Sequence, residues 1–273
     1  MKNLRNKTVL VTGAARGMGK CLSELLLKQR CRVALVDIDR NLLKETESEL
    51  SRKGKCRAFL CDITDEAAVE TLATDIQKQF GPVNILVNNA GIVKAAPVSG
   101  LSETDVQKMI DVNLTALIRC CRIFLPQLIE SGDAQIVNMA SAGGILAIPD
   151  LSVYSATKFG VIGFTDSLRQ EMKRSGHNVI VSYVTPNTVN TGMFEGSSMV
   201  KGTKMLSPER VAGAILNTII KGPPLCAIPR FSLRVVTPLL KLILPINGMD
   251  SLNRRLGMWT INSDWQGRKS ADN

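Results

Sequence analysis

Tyr154-Ser155-Ala156-Thr157-Lys158 sets a phenol and an ammonium four residues apart. On a helix that spacing puts both side chains on one face. A phenol titrates near ~10, so it moves protons near neutral pH only if something lowers that value, and an adjacent ammonium does so electrostatically. The chemistry would be general acid/base transfer at an alcohol or carbonyl oxygen. In isolation the pair is an ordinary solvated helix face. It is not isolated: Ser141 stands 13 residues upstream, at the end of an apolar run, where its hydroxyl can bind the oxygen whose proton Tyr154 handles. Asn113 could hold a water that links Lys158 to bulk solvent. The chain's one histidine, His177, follows Ser175-Gly176 in a helix-ending turn and reads as a surface residue. The seven cysteines (Cys21, Cys31, Cys56, Cys61, Cys120, Cys121 and Cys226) contain no CxxC. No metal site is expected.

A second group of residues suits a dinucleotide. Thr12-Gly13-Ala14-Ala15-Arg16-Gly17-Met18-Gly19 joins a short apolar run to a helical pattern. Glycines let the backbone approach a pyrophosphate, and the N-terminus of the following helix offers free N–H groups and a positive dipole end. A glycine triplet alone is a weak signal; its place between strand and helix is the context that gives it meaning. Asp37 lies 18 residues after Gly19. A carboxylate there can accept both hydroxyls of an adenosine ribose and would repel a 2′-phosphate, although it could instead cap the helix beginning near Asp39. Arg16 pulls the other way, since a guanidinium in the loop can pair with a 2′-phosphate. NAD is therefore expected over NADP. Asp62 can reach an adenine amino group or cap the helix at Thr64-Asp65. Asn88-Asn89-Ala90-Gly91 would keep the groove floor open and tie strand ends together.

These groups need a frame that brings strand ends to one edge. Apolar runs Thr8–Thr12, Arg32–Val36, Cys56–Cys61, Val83–Val87, Ala134–Met139 and Val179–Val184 read as strands. Helical patterns fall at Gly17–Arg30, Leu42–Lys53, Asp65–Phe80, Ser102 to Glu130, Ser152–Ser175 and Pro208–Lys221. Such alternation implies parallel pairing and right-handed crossovers. The expected fold is a single doubly wound Rossmann α/β domain, with a parallel sheet and helices on both faces. Residues 1–230 would form the nucleotide-binding and catalytic domain, and 231–273 an apolar, basic extension of it.

Composition narrows the partners. The formal charge is +10, and from Lys201 onward eleven Lys/Arg face four Asp/Glu, so seven of those ten charges lie in the last quarter. With two Trp and two Tyr the chain lacks the aromatic platforms of a single-strand nucleic-acid binder, and no nucleic-acid partner is expected. Scattered thiols and a first strand that begins within a few residues of Met1 point to a reducing, cytoplasmic setting. No uninterrupted apolar stretch reaches the ~18–20 residues of a bilayer span.

Taken together, the motifs resemble the short-chain dehydrogenase/reductase superfamily over residues 5–230. TGAARGMG matches its TGxxxGxG loop, NNAG its NNAG element, and Asn113, Ser141, Tyr154 and Lys158 its catalytic tetrad. The resemblance implies hydride transfer between a nicotinamide and an alcohol or carbonyl. It also implies cofactor contacts from Gly13, Arg16, Gly17, Met18 and Gly19, from Asp37, Asp62 and Ile63, and from Asn89, Ala90 and Gly91. Tyr154, Lys158, Val189 and Thr191 would complete them, and the assembly would be a homodimer or homotetramer. One departure stands out: the family's Pro-Gly after the sixth strand is Pro186-Asn187 here. Thr191-Gly192-Met193-Phe194-Glu195-Gly196 and Ala227-Ile228-Pro229-Arg230-Phe231 look like the retinol and 17β-hydroxysteroid dehydrogenase branch, which implies a lipophilic substrate. Met193, Phe194, Met199, Met205 and Leu206, in and beside the loop Phe194–Leu206, would line its site. Rival readings are an NADPH-dependent ketone reductase of a small metabolite and a non-catalytic dinucleotide sensor. For the apolar segment beyond Arg230 two readings stay open: a lid or subunit contact, or peripheral membrane association through residues 231–257. In the second, Arg230, Arg234, Lys241, Arg254 and Arg255 would face anionic headgroups.

Overall fold

The computed structural model describes residues 3–267. Seven strands form one parallel sheet in the order β3-β2-β1-β4-β5-β6-β7: β1 (Thr8–Thr12), β2 (Arg32–Asp37), β3 (Cys56–Leu60), β4 (Ile85–Asn88), β5 (Ala134–Met139), β6 (Val179–Pro186) and β7 (Leu225–Ile228). Strand order reverses between β1 and β4, which pair directly through Val9–Ile85, Leu10–Leu86 and Val11–Val87. At such a switch point crossovers diverge to opposite faces and leave a crevice at the carboxyl ends of the strands. The doubly wound fold expected from the alternation is the one observed.

The sheet is hydrophobic on both faces, so successive residues of one strand enter different cores. Leu10, Ala34 and Val36 point to the face covered by α3 (Glu66–Phe80), α5 (Ala116–Glu130) and α6 (Ser152–Arg174). Val9, Val11, Val33 and Leu35 point to the face covered by α1 (Gly17–Lys28), α2 (Arg40–Leu50) and α7 (Pro208–Lys221). Four helix starts are closed by their own residues: Asp39 accepts from the Leu42 amide, Asp65 from Ala68 and Ser207 from Arg210, while Ser102 and Asp105 form a reciprocal box at the start of α4 (Glu103–Ile110). The start of α1 has no side-chain cap and no acidic residue in its first turn.

Three elements differ from the sequence reading. The stretch expected as one helix over 102–130 is α4 and α5 joined by a wide π turn, Asp111–Thr115. The 28-residue run Glu103–Glu130 meets the length and composition of a bilayer span without being an uninterrupted apolar stretch, since charged residues fall within it. Its apolar residues Leu117, Cys120, Cys121, Phe124 and Leu128 are instead spent on the sheet. Second, β7 is a strand that four apolar residues after Pro223-Pro224 were too short a run to announce. Third, the segment after β7 folds as a π turn (Ser232–Val236), α8 (Thr237–Ile243), α9 (Ile246–Arg255) and a short 3-10 turn, Met258–Thr260.

Candidate active site

The glycine-rich turn is built at van der Waals limits. Gly13 has φ +66°, and a Cβ on Gly19 would lie 2.1 Å from the Gly13 carbonyl oxygen. Asn89 locks this turn from the side: its backbone N–H donates to Thr12 Oγ1 at 3.0 Å and its Nδ2 to the Thr12 and Gly13 carbonyls at 2.9 and 3.1 Å. The strand ends are thus tied as the NNAG reading anticipated. Beyond the turn, the uncapped N-terminus of α1 leaves its first amides open to an anion.

A groove runs from there along the carboxyl edge. Gly13, Arg16, Gly17, Met18, Asp37, Asp62, Ile63, Asn89, Ala90, Gly91 and Thr191 all line it. Gly19 is buried beneath it and shapes the turn; Val189 lines the adjoining cavity. Asp37 does not cap α2. Its Oδ2 accepts from the Ala15 amide at 3.0 Å and its Oδ1 from the Asp39 amide at 3.1 Å, which fixes the carboxylate at the groove wall. Arg16 is engaged, its guanidinium 3.0 Å from the Asp39 carboxylate. Asp62 accepts from the Thr64 amide (2.9 Å) and hydroxyl (2.7 Å); it shapes the loop, and capping α3 falls to Asp65. A Cβ on Gly91 would meet Asn113 Oδ1 at 3.2 Å and Lys158 Nζ at 3.6 Å, so glycine there lets the β4 loop approach the lysine. A narrow glycine cradle, an uncapped helix start and a fixed carboxylate fit the phosphates and ribose of a dinucleotide.

The groove opens into an apolar cavity, and Met18, Asn89, Gly91, Thr191 and Met193 line both. Tyr154 and Lys158 lie in the cavity wall, both buried, and Ser141 adjoins them. Ser141 Oγ accepts from the Gly143 amide at 3.1 Å and hydrogen-bonds the Tyr154 phenol. The expected electrostatics are corrected here. Lys158 Nζ is 5.7 Å from the Tyr154 ring centroid and donates to the Met139 carbonyl at 2.9 Å. Burial pushes the phenol above its ordinary value, opposed by the Ser141 hydrogen bond. Burial likewise pushes the ammonium down to about 8. In a low-dielectric wall the desolvation of each group outweighs their mutual effect.

Asn113 has its side chain committed to protein partners. It sits in the π turn, and its side chain brackets Ile92, accepting from the amide at 2.8 Å and donating to the carbonyl at 2.9 Å, with a further contact to Thr157 Oγ1 at 3.3 Å. It ties α5 and α6 to the β4 loop, so this amide is spent on protein partners. Wide turns of this kind recur at functional sites. At Asn187 the backbone is not left-handed, so the missing glycine imposes no strain there; Asn187 lines the cavity.

Met193 and Phe194 line the cavity as anticipated, and the Phe194 ring stands edge-on to Tyr154 at 6.0 Å. Met199 and Met205 do not line it, and Leu206 pairs with Val189 in the core. Sequence reasoning missed Ile148, Leu151, Ile261 and Asn262, which complete the wall. Asn262 closes the roof: its Nδ2 donates to the Pro149 carbonyl at 3.0 Å, and its Oδ1 accepts from Ser197 Oγ at 3.1 Å. Trp265 Nε1 donates to the Met193 carbonyl at 3.2 Å. Residues near 261–267 therefore pack over the cavity. His177 is exposed, as its turn implied.

A Rossmann crevice carrying a dinucleotide cradle that opens onto a buried Tyr and Lys with a Ser beside them defines a nucleotide-dependent oxidoreductase. Residues 7–201 match the short chain dehydrogenase family, and the chain belongs to it. It is 33% identical to the putative oxidoreductase SadH of Mycobacterium tuberculosis, over 81% of this chain and 86% of that one. It is 30% identical to epidermal retinol dehydrogenase 2 of Mus musculus, over 98% of this chain and 88% of the relative. The fold matches that of a short chain dehydrogenase/reductase from Burkholderia phymatum in complex with NAD, with TM-score 0.81, 22% identity, and 100% and 99% of the two chains covered.

Proposed function

We propose that the protein oxidises a lipophilic alcohol, or reduces the corresponding carbonyl, with NAD as the redox partner. The observation that carries this reading is the continuity of the cofactor groove with an apolar cavity that has the Tyr154 phenol in its wall. When bound, the oxidised nicotinamide supplies the acceptor for the hydride that leaves the carbinol carbon. Tyr154 takes the hydroxyl proton in oxidation and returns it in reduction. Ser141 binds the reacting oxygen and holds the phenol, and Lys158 supplies positive charge from below it. Gly13, Gly17, Gly19 and the start of α1 hold the pyrophosphate, with Met18, Ile63, Ala90, Gly91, Val189 and Thr191 forming the walls. Asp62 faces the adenine end.

The preference for NAD is supported by Asp37, whose carboxylate lines the groove and would repel a 2′-phosphate, and by Asp39, which holds the Arg16 guanidinium that such a phosphate would need. The lipophilic class is supported by the cavity lining of Met139, Ile148, Leu151, Met193, Phe194 and Ile261 and by the 30% identity to epidermal retinol dehydrogenase 2. A panel of long-chain, retinoid and steroid alcohols assayed with NAD and NADP in parallel tests both parts. NAD is expected to support the higher kcat/KM, and Asp37→Ser to narrow or reverse the gap. Equal wild-type use of the two cofactors would defeat the preference, and turnover confined to small polar alcohols would defeat the substrate class.

A further inference from the structure

Past the cavity roof, the chain presents a surface that no other described residue covers. Phe231, Val235, Leu239, Leu242, Ile243 and Ile246 are all exposed, Leu242 at 83%, Ile246 at 80% and Phe231 at 71%. Phe231, Val235, Leu239 and Leu242 recur every three or four residues along one side of the π turn and α8, with Ile243 beside them and Ile246 exposed at the start of α9. The opposite side is anchored, because Leu233 is buried against Ala142, Leu146 and Ala227. The fold thus fixes one side of this element and leaves the other apolar toward solvent. A row of large aliphatic side chains on a rigid helix exceeds the scattered exposure that a surface normally tolerates.

The charges around this row decide what can cover it. Arg230 and Arg234 are exposed at its start, and Arg254 and Arg255 at the end of α9. From Arg210 to Met249 the sequence has five Lys/Arg and no Asp or Glu. A two-fold contact with a second copy would set this patch against itself, placing like charges together with no carboxylate on α8 to offset them. Nucleic acid would meet the arginines but offers no apolar counterpart to Leu242 and Ile246. An anionic bilayer meets both: acyl chains for the aliphatic row and headgroups for the guanidinium rim. Trp259 is half exposed, with the Arg254 guanidinium 5.5 Å above its ring, a pairing of apolar body and polar edge suited to that boundary. Lys241 does not join the rim. Its Nζ donates to the Ile145 carbonyl at 2.8 Å and lies 5.4 Å over the Phe159 ring.

We infer that the π turn and α8 seat this protein on anionic lipid, with the aliphatic row in the acyl boundary. The helix lies flat, since Arg234, Lys241 and two prolines within the segment oppose insertion across the bilayer. The same element borders the cavity, because Ala142, which Leu233 packs against, also lines it. Seating on lipid stands without any assignment of substrate. The benefit, short-range transfer of an alcohol from bilayer to cavity, rests on the lipophilic reading above.

The test is sedimentation of the full-length protein with vesicles of phosphatidylcholine alone and of phosphatidylcholine with phosphatidylserine. Wild type is expected to pellet with the serine-containing vesicles at low salt, and less in high salt or with the neutral ones. Leu242→Glu with Ile246→Glu should lower partitioning by roughly tenfold or more. Both positions are solvent-facing, so circular dichroism and the molar mass by light scattering should stay as in wild type. Arg230→Glu with Arg234→Glu should remove the preference for phosphatidylserine. Wild type that stays in the supernatant, a Leu242/Ile246 variant that pellets as wild type does, or one whose molar mass halves would each overturn the inference; the last would make the row a contact between copies. Because the readout is partitioning, a failed substrate screen leaves it unaffected.

Discussion

The residues proposed to carry the chemistry sit where charge is costly. Lys158 is buried, and its folded pKa of about 8 lies below its ordinary 10.5. Between those values the folded state binds fewer protons than the unfolded one, so this group makes stability rise with pH across that window. Below about 8 the folded protein carries the full cost of an ammonium in a dry wall. Lys158→Met should therefore raise unfolding stability at pH 7, on the order of 1–2 kcal/mol after the Met139 carbonyl loses its donor, and the gain should vanish as the pH approaches ~10.5. Urea denaturation of the cofactor-free protein at neutral and alkaline pH measures this. A variant equally destabilised at both would show that the lysine is not held against its own desolvation. Asn113 illustrates the same economy of burial. Its amide is committed to Ile92 and Thr157, so its role toward Lys158 is to fix the loop that Gly91 brings close.

At the scale of elements, what was legible followed from local pattern. The strand-turn-helix at Gly13 to Gly19 and the Tyr154/Lys158 face lie within a few residues, and the structure places them as read. What was not legible depends on partners distant in sequence. The break at Asp111–Thr115 contains neither Gly nor Pro; it is set by packing against α6 and the β4 loop. The roof joins Asn262 to Pro149 and Ser197 across 113 and 65 positions, and no periodicity marks such a strap. Asn262→Ala should free it. The expected result is faster proteolysis within residues 192–201 and a KM for a cavity-filling alcohol raised roughly two- to tenfold, the worth of one net hydrogen bond or slightly more, with kcat little changed. Unchanged proteolysis and KM would mean that Trp265 and the backbone contacts hold the roof without it.

For the molecule as a whole, one sheet edge organises two environments. Its glycine-rich end is open and polar, suited to phosphates and ribose; its other end is closed by Phe194, Ile261 and Asn262 into an apolar cavity. In the extension after β7, residues near 261–267 lie over the cavity and the aliphatic row of α8 faces outward. Central to the proposed function is hydride transfer with proton movement through Tyr154. The direct measurement is isotopic: a long-chain alcohol deuterated at the carbinol carbon is incubated with NAD and the enzyme, and the nicotinamide is examined by NMR. Wild type should deliver deuterium to the nicotinamide C4. Tyr154→Phe should bind NAD nearly as well and transfer deuterium more slowly by ~10²–10⁴. Transfer by the variant within threefold of wild type, or no transfer by wild type to either NAD or NADP from any alcohol of the panel, would contradict it.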